Sequence, residues 1–266
     1  MKKSTLLLAL ALTGLLVSSA SAQVYVGSDN FDDNTISGNW DFQYSVGAGV
    51  GTLTEINSRL EYTSSGANQS RAIVWNNATN ASYSENWTAS LTVSNLTTPV
   101  SGYNMIGLQV FAANNLDLGY FGVFAFKSAG SGPNIFFETA SAPGYAPSDF
   151  GPSPAETDLT DVFVQMSHNA STHDITLSYS QDGGATFLDS QVFNPGTAWA
   201  GAPTDGFSFR ILGFSTSPGV GAGEMYADNF AVSAIPEPST YAAFAGLGAL
   251  GLAFWRRRQA RTAAQA

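Results

Sequence analysis

Apolar and polar side chains alternate with a period of two along most of this chain. Trp87, Ala89, Leu91 and Val93 fall on one side and Thr88, Ser90, Thr92 and Ser94 on the other, the pattern of a strand that buries one face and wets the other. Ile106-Leu108-Val110, Val162-Val164-Met166, Ile175-Leu177-Tyr179 and Phe207-Phe209-Ile211 repeat it. Leu118 to Phe126 is apolar at both parities, which predicts a central strand covered on both sides. Turn clusters separate these runs: Ala113-Asn114-Asn115, Ser128 to Pro133, Ala140 to Pro154 and Ser215 to Gly223. Between the two ends of the chain no stretch of ten or more residues carries the helical period. The prediction is an all-β fold, a two-sheet antiparallel β-sandwich of the jelly-roll kind. Two matching segments, Ser28-Asp29-Asn30-Phe31-Asp32-Asp33 and Ala227-Asp228-Asn229-Phe230-Ala231-Val232, predict terminal strands lying side by side.

The ends depart from this pattern. Lys2-Lys3, the apolar run Leu6 to Val17 and Ala20-Ser21-Ala22 are the charged, hydrophobic and small-residue parts of a secretory signal helix, residues 1–22, with Ala20 and Ala22 setting cleavage. At the other end Ile235-Pro236-Glu237-Pro238-Ser239-Thr240 precedes an uncharged run, Tyr241 to Trp255, and then Arg256-Arg257-Arg258. The prolines separate the tail from the fold before it. The apolar run predicts a hydrophobic helix, and the arginines would stay cytoplasmic. Fifteen residues span about 22 Å against a hydrocarbon core of about 30 Å, which suits a transient anchor. Gly246-Leu247-Gly248-Ala249-Leu250-Gly251 is formally G-x-G-x-x-G, but no strand precedes it, and small residues on a membrane helix account for it.

Proline break, short apolar segment and arginine cluster, in that order, resemble the PEP-CTERM sorting signal of exopolysaccharide-producing Gram-negative bacteria. The resemblance assigns 235–261 to the signal, with a membrane segment at 241–255. It implies Sec export, transient residence in the inner membrane, recognition by an exosortase through Pro236, Glu237, Pro238 and Arg256 to Arg258, and cleavage near the Pro-Glu-Pro. Residues 23–234 remain as the working domain.

Composition narrows the partners of that domain. The formal net charge is −10, and six of the ten basic residues (Lys2, Lys3, Arg256, Arg257, Arg258, Arg261) lie in the ends. The middle is therefore more acidic than the whole, which argues against nucleic acid and anionic polysaccharide. There is no cysteine, so no disulfide supports the exported fold.

The opening, with Asn39-Trp40 after the acidic pair, and the segment Asp161 to Phe187 resemble the concanavalin-A-like and laminin-G-like lectin/glucanase superfamily. Its laminarinase-type members carry E-x-D-x-x-E, and Glu156-Thr157-Asp158-Leu159-Thr160-Asp161 approaches that motif with Asp at the last position. The resemblance implies glycoside hydrolysis by Glu156 and Asp158 as an alternative. The stretch lacks an apolar strand body, however, and looks like the polar lead-in to the next strand. Ser180 to Phe187 fits an Asp-box, S-x-D-x-G-x-T-F, whose job is to close a hairpin. His168 and His173 flank a turn; with no third ligand in view they are expected to be exposed hairpin residues. Asp29, Asp32 and Asp33 near one terminus and Asp228 near the other would converge on a structural calcium if the terminal strands pair. Trp40, Trp75 and Trp199 are candidates for stacking on sugar rings.

The sequence thus predicts an exported, non-catalytic cell-surface or matrix protein associated with neutral exopolysaccharide. A glycoside hydrolase and a homotypic matrix protein without glycan binding are the alternatives.

Overall fold

The structure, a computed structural model, describes residues 24–43, 49–75, 81–113, 118–141, 146–150, 158–217, 219–235, 248–252 and 255–256. Two compact units divide the chain: Tyr25–Ala234, and Met1–Val24 with Ile235–Ala266. In the second unit the described tail residues 248–252 and 255–256 are helical. Among the described residues no helix is long and apolar enough to cross a membrane; the expected signal helix 1–22 and most of 241–255 lie outside them.

The first unit is built from strands, as the alternation predicts. In chain order these are β1 (Val24–Asp29), β2 (Trp40–Gln43), β3 (Gly49–Val50), β4 (Thr52–Ile56), β5 (Arg59–Ser64), β6 (Gln69–Trp75), β7 (Asn86–Asn95) and β8 (Tyr103–Ala112). Then follow β9 (Gly119–Ser128), β10 (Pro133–Ser141), β11 (Ala146–Phe150), β12 (Val162–Asn169), β13 (Asp174–Ser180), β14 (Asp189–Phe193), β15 (Phe207–Ser215) and β16 (Val220–Ile235). One helical turn, α1 (Pro195–Ala198), interrupts them, capped by the Asn194 side chain on the Gly196 N–H. The first sheet runs β14-β13-β12-β7-β16-β5-β4, with β1 added on β16; the second runs β11-β10-β9-β8-β15-β6-β2, with β3 added on β6. The strand pairings whose register is described are antiparallel apart from β3 on β6. The two matching termini do lie together, since β1 pairs with β16.

Each alternating run delivers its apolar side chains to the space between the sheets. Trp87, Ala89, Leu91 and Val93 of β7 are fully buried there, as are Ile106, Leu108 and Val110 of β8 and Phe207, Phe209 and Ile211 of β15. Trp87 crosses from the first sheet to meet Phe207 and Phe209 of the second edge to face, with centroids 5.0 and 5.1 Å away. Trp40, Trp75 and Phe230 form a second cluster with centroids 4.9 to 5.2 Å apart. Further along the sandwich Tyr62 fills the space over Gly213 and Gly51, where a Cβ at either position would collide with its ring. Its hydroxyl donates to the Gln69 carbonyl at 2.6 Å. Buried Asn95, at the end of β7, ties the sheets by polar contact: its amide donates to the carbonyls of Asn104 and Ala125 at 2.9 and 3.0 Å.

β9 is central, flanked by β8 and β10. Phe121, Val123 and Ala125 enter the main core, and Phe124 is buried on the opposite face. The two-sided apolar character of this segment therefore has the physical cause expected of it.

Replacing Trp87 by Ala would open a cavity between the sheets that neighbouring strands cannot close. A loss of about 3–5 kcal/mol is expected, read as a lowered midpoint in urea with an unchanged slope.

Candidate functional site

The second sheet turns one face away from the main core, and its register aligns three polar side chains and a glycine across four strands. Arg210 of β15 stands opposite Gln109 of β8, Gln109 opposite Gly122 of β9, and Gly122 opposite Glu138 of β10. Directly paired residues share a face, so these four form one row. The Arg210 Nε–H donates to the Gln109 side-chain carbonyl. Its guanidinium lies 5.4 and 5.5 Å from the ring centroids of Phe111 and Tyr120, within cation–π range. The Tyr120 hydroxyl donates to the Glu138 carboxylate. Burial pushes the Glu138 carboxyl up, and the Tyr120 hydrogen bond and the Arg210 charge pull it partly back. The Tyr120 phenol is raised too, by burial first and then by the Glu138 charge. Glu138 is 6% exposed, and its Oε2 is buried without a hydrogen-bond partner.

A band of aromatic rings borders this row. Phe214, Tyr103, Phe126 and Phe136 come from β15, β8, β9 and β10, with successive centroids 5.5, 5.2 and 5.4 Å apart. They are half-buried and rest on a small second core of Ala72, Met105, Phe124 and Leu212. The Phe124 ring can lie against the sheet because Gly107 and Gly122 supply no Cβ; a methyl at either place would overlap it. The face thus offers a strip of flat apolar rings alongside a row of hydrogen-bonding groups, an arrangement suited to a ligand with both C–H faces and hydroxyls.

The site residues expected from sequence are distributed elsewhere. Trp40, Trp75 and Trp199 are core residues, a correction to their role as sugar platforms. Their rings pack on Phe31, Phe230 and Phe121 and have no free face to offer. They sit on core-facing positions because a large indole gains most from burial. Both Asp29 oxygens are engaged, by the Phe31 N–H at 2.9 Å and the Trp40 indole N–H at 2.8 Å. Asp32 accepts from the Asn30 amide at 2.7 Å, and Asp33 from the Thr35 N–H at 2.9 Å. Asp228 faces Asp161 and Asp32, and burial together with those like charges raises its carboxyl. Asp29 and Asp33 instead face buried Glu55, whose carboxyl is raised chiefly by burial. The acidic residues of the termini are thus divided between two places, and no three acidic or histidine side chains among the described residues converge on a metal-sized point. Glu156 lies outside the described residues, as do Ala20, Ala22, Pro236, Glu237, Pro238, Arg257 and Arg258, while Arg256 falls in the helical pair 255–256. Asp158 is exposed in the loop before β12, where its carboxylate accepts from the Thr160 N–H at 3.0 Å and hydroxyl at 2.7 Å.

The Asp-box is a turn, as expected. Ser180 Oγ accepts from the Asp182 and Gly184 N–H groups, Asp182 accepts from the Thr186 N–H at 2.8 Å, and Gly183 and Gly184 hold positive φ. The histidines are a correction: His168 is 3% exposed and stacked on Trp87 and Tyr83, and His173 is stacked on Tyr83 at 4.2 Å with its ring 6.1 Å from that of His168. His168 Nδ1 meets the Glu85 carbonyl at 2.8 Å. The polar row escaped sequence reasoning because Glu138 and Arg210 are each one charge within an otherwise uncharged strand. Their even parity, opposite to Phe137 and Phe209, was the available signal.

The tail, residues 234–258, matches the PEP-CTERM protein-sorting motif. That motif implies exosortase processing, export and a membrane-anchored intermediate in Gram-negative bacteria. None of the curated proteins matches this sequence. Among solved structures the chain is similar to the endo-1,3-beta-glucanase from Streptomyces sioyaensis, with 14% identity and a TM-score of 0.57 over 83% of this chain and 99% of that one. It is similar to the CBM2 module of the evolved Dit of Lactobacillus casei BL23 phage J-1, with 10% identity and a TM-score of 0.55 over 81% and 97%. The metal-free exoplasmic/lumenal domain of VIP36 matches with 11% identity and a TM-score of 0.53 over 81% and 94%. At such identities the likeness is one of fold alone, a two-sheet β-sandwich with the concanavalin-like arrangement of strands.

Burial holds the His168 imidazole below its ordinary value of 6.5, with His173 lowering it further and the Glu85 carbonyl and Asp174 opposing. Between the folded and unfolded values the unfolded chain binds more protons, so on this account stability falls as pH drops below about 6.5 and is flat above it. Melting temperatures measured from pH 8 to pH 5 should show this decline, and His168→Gln should make the profile shallower. Superimposable profiles would refute the assignment.

Proposed function

We propose that this chain is an exosortase-sorted cell-surface or extracellular-matrix protein whose sandwich binds neutral exopolysaccharide without cleaving it. The observation that carries this reading is the outer face of the second sheet, where four half-buried rings lie beside the row from Arg210 to Glu138. Pyranose rings present apolar C–H faces to such a strip and hydroxyls to such a row. The acidity of the chain as a whole favours an uncharged polymer. The sorting motif supplies the setting: export by the Sec route, a brief stay in the inner membrane, and release near Pro236 to Pro238.

The absence of catalysis in this reading rests on carboxylate spacing. Retaining hydrolysis needs two carboxyls about 5–5.5 Å apart, and inverting hydrolysis about 6.5–9.5 Å. The other acidic side chain in Glu138's row is Asp41, on β2. Five strand spacings separate them, about 24 Å at about 4.8 Å each. Asp158 belongs to the loop before a strand of the other sheet and is occupied by Thr160. Calcium is not part of the proposal, because the acidic residues that would hold it divide between two places.

The test is affinity electrophoresis of the full chain, in mild detergent, through gels containing dextran or a soluble β-1,3-glucan, with reducing ends assayed in parallel. Retardation without reducing ends is expected. Tyr103→Ala with Phe214→Ala should weaken it about tenfold or more, as loss of two ring contacts of about 0.5–1.5 kcal/mol each would give. Reducing ends that disappear with Glu156→Gln would replace this reading with the hydrolase.

A further inference from the structure

β14 ends the first sheet, with β13 on one side of it and no described strand on the other. Val192 in this strand is 58% exposed, and Leu188 just before it 52%. An edge strand leaves every second residue's N–H and C=O to a neighbour it does not yet have. The Ser190 N–H is met by the Asp189 carboxylate at 2.8 Å, so it points away from β13. By alternation the backbone groups of Val192 point the same way. The outward set stops on both sides of these two residues: the Leu188 N–H donates to the Tyr179 carbonyl at 3.0 Å, and the Asn194 carbonyl accepts from the Thr197 and Ala198 N–H groups at 3.1 and 2.9 Å. The outward groups of Ser190 and Val192 are complementary to themselves. In a two-fold antiparallel pairing centred on Gln191, Ser190 of each copy faces Val192 of the other, and every outward N–H meets an outward C=O. Moving the centre to Ser190 or Val192 would call on Leu188 or Asn194, whose groups are taken. The centred register also sets Asp189 opposite Phe193 of the second copy. The two Asp189 carboxylates then lie four residues apart along the joint, about 14 Å at about 3.4 Å per residue, beyond the Debye length of about 8 Å at physiological salt.

We propose that β14 is a self-association edge: two copies of this chain join β14 to β14 about a two-fold axis at Gln191 and make one continuous sheet of their first sheets. Each exposed Val192 then packs against Ser190 of the other copy and lies diagonal to its Val192. Pairing releases the Asp189 carboxylate from the Ser190 N–H to solvent. A joint of this symmetry closes on itself and stops at the dimer. The inference goes beyond the glycan-binding reading and stands or falls without it, because β14 belongs to the first sheet and the outer face of the second stays open in both copies. A long polymer would meet two such faces at once.

Sedimentation velocity of the full chain in density-matched mild detergent, from about 1 to about 300 µM, tests this. A monomer–dimer equilibrium with a Kd of about 100 µM is expected, since a joint between strands of five residues is small. Val192→Lys puts a charge on the edge, and Ser190→Pro deletes an outward N–H while sparing the bonds to β13. Each should weaken the dimer about tenfold or more, with far-ultraviolet dichroism verifying that the variants are folded. Thr54→Lys, at an exposed position of β4 on the opposite edge of the sheet, should leave the equilibrium unchanged. A chain that stays monomeric throughout, that grows past the dimer, whose dimer survives both folded β14 variants, or whose dimer yields equally to Thr54→Lys overturns the inference.

Discussion

The domain depends on aromatic side chains meeting across the gap between two sheets. An exported chain without cysteine has no covalent link to hold its sheets together, so the inward faces must supply the adhesion. Large rings do this efficiently, because each removes much apolar area from water and gains further from edge-to-face contact. Trp87 against Phe207 and Phe209, and Trp40 and Trp75 together against Phe230, are two such points, and both join strands of opposite sheets. Glycine matters for the same reason. The Tyr62 ring reaches across only because Gly213 leaves it room.

That commitment decides what the rest of the molecule can do. Tryptophans drawn into the core are withdrawn from recognition, so any binding by stacking falls to smaller rings on the opposite face of the second sheet. There Phe214, Tyr103, Phe126 and Phe136 are only half-buried, resting on a thin layer of Met105, Phe124 and Leu212. Gln109, Arg210, Tyr120 and Glu138 interrupt that layer, and burying a carboxyl in it raises its proton affinity. A face used only to cover a core would gain by replacing Glu138 with an apolar residue, since burying an unmatched acceptor is costly.

The sequence announced the architecture far better than the site. Alternation identified β7, β8, β12, β13 and β15 with their buried parity, because a half-buried strand must repeat every two residues. The matching Asp-Asn-Phe segments foretold the β1 and β16 pairing, and the two-sided apolar run foretold β9 at the centre of its sheet. The site was hidden because it arises from register. Arg210, Gln109, Gly122 and Glu138 span more than a hundred residues of chain and become one row only through three strand pairings. Tryptophan's ability to stack on sugars suggested Trp40, Trp75 and Trp199, but the free energy of burial outweighed it. His168 was misjudged likewise: hairpin position suggested exposure, whereas the space beside Trp87 and Tyr83 takes a flat ring.

The fold and the sorting tail meet with almost no chain between them. β16 continues to Ile235, Val232 and Ser233 are buried in it, and the sorting motif already begins at residue 234. Only Ala234 and Ile235 separate the last buried residue from Pro236, a reach of about 7 Å when extended. β16 is also the strand on which β7, β5 and β1 assemble. A cut upstream of Ser233 would remove part of that strand and expose Val232 and Phe230, whereas a cut near the Pro-Glu-Pro leaves the sheet whole. Proline at 236 fits this division. A proline cannot donate to a ladder, and β16 runs to Ile235, the residue before it.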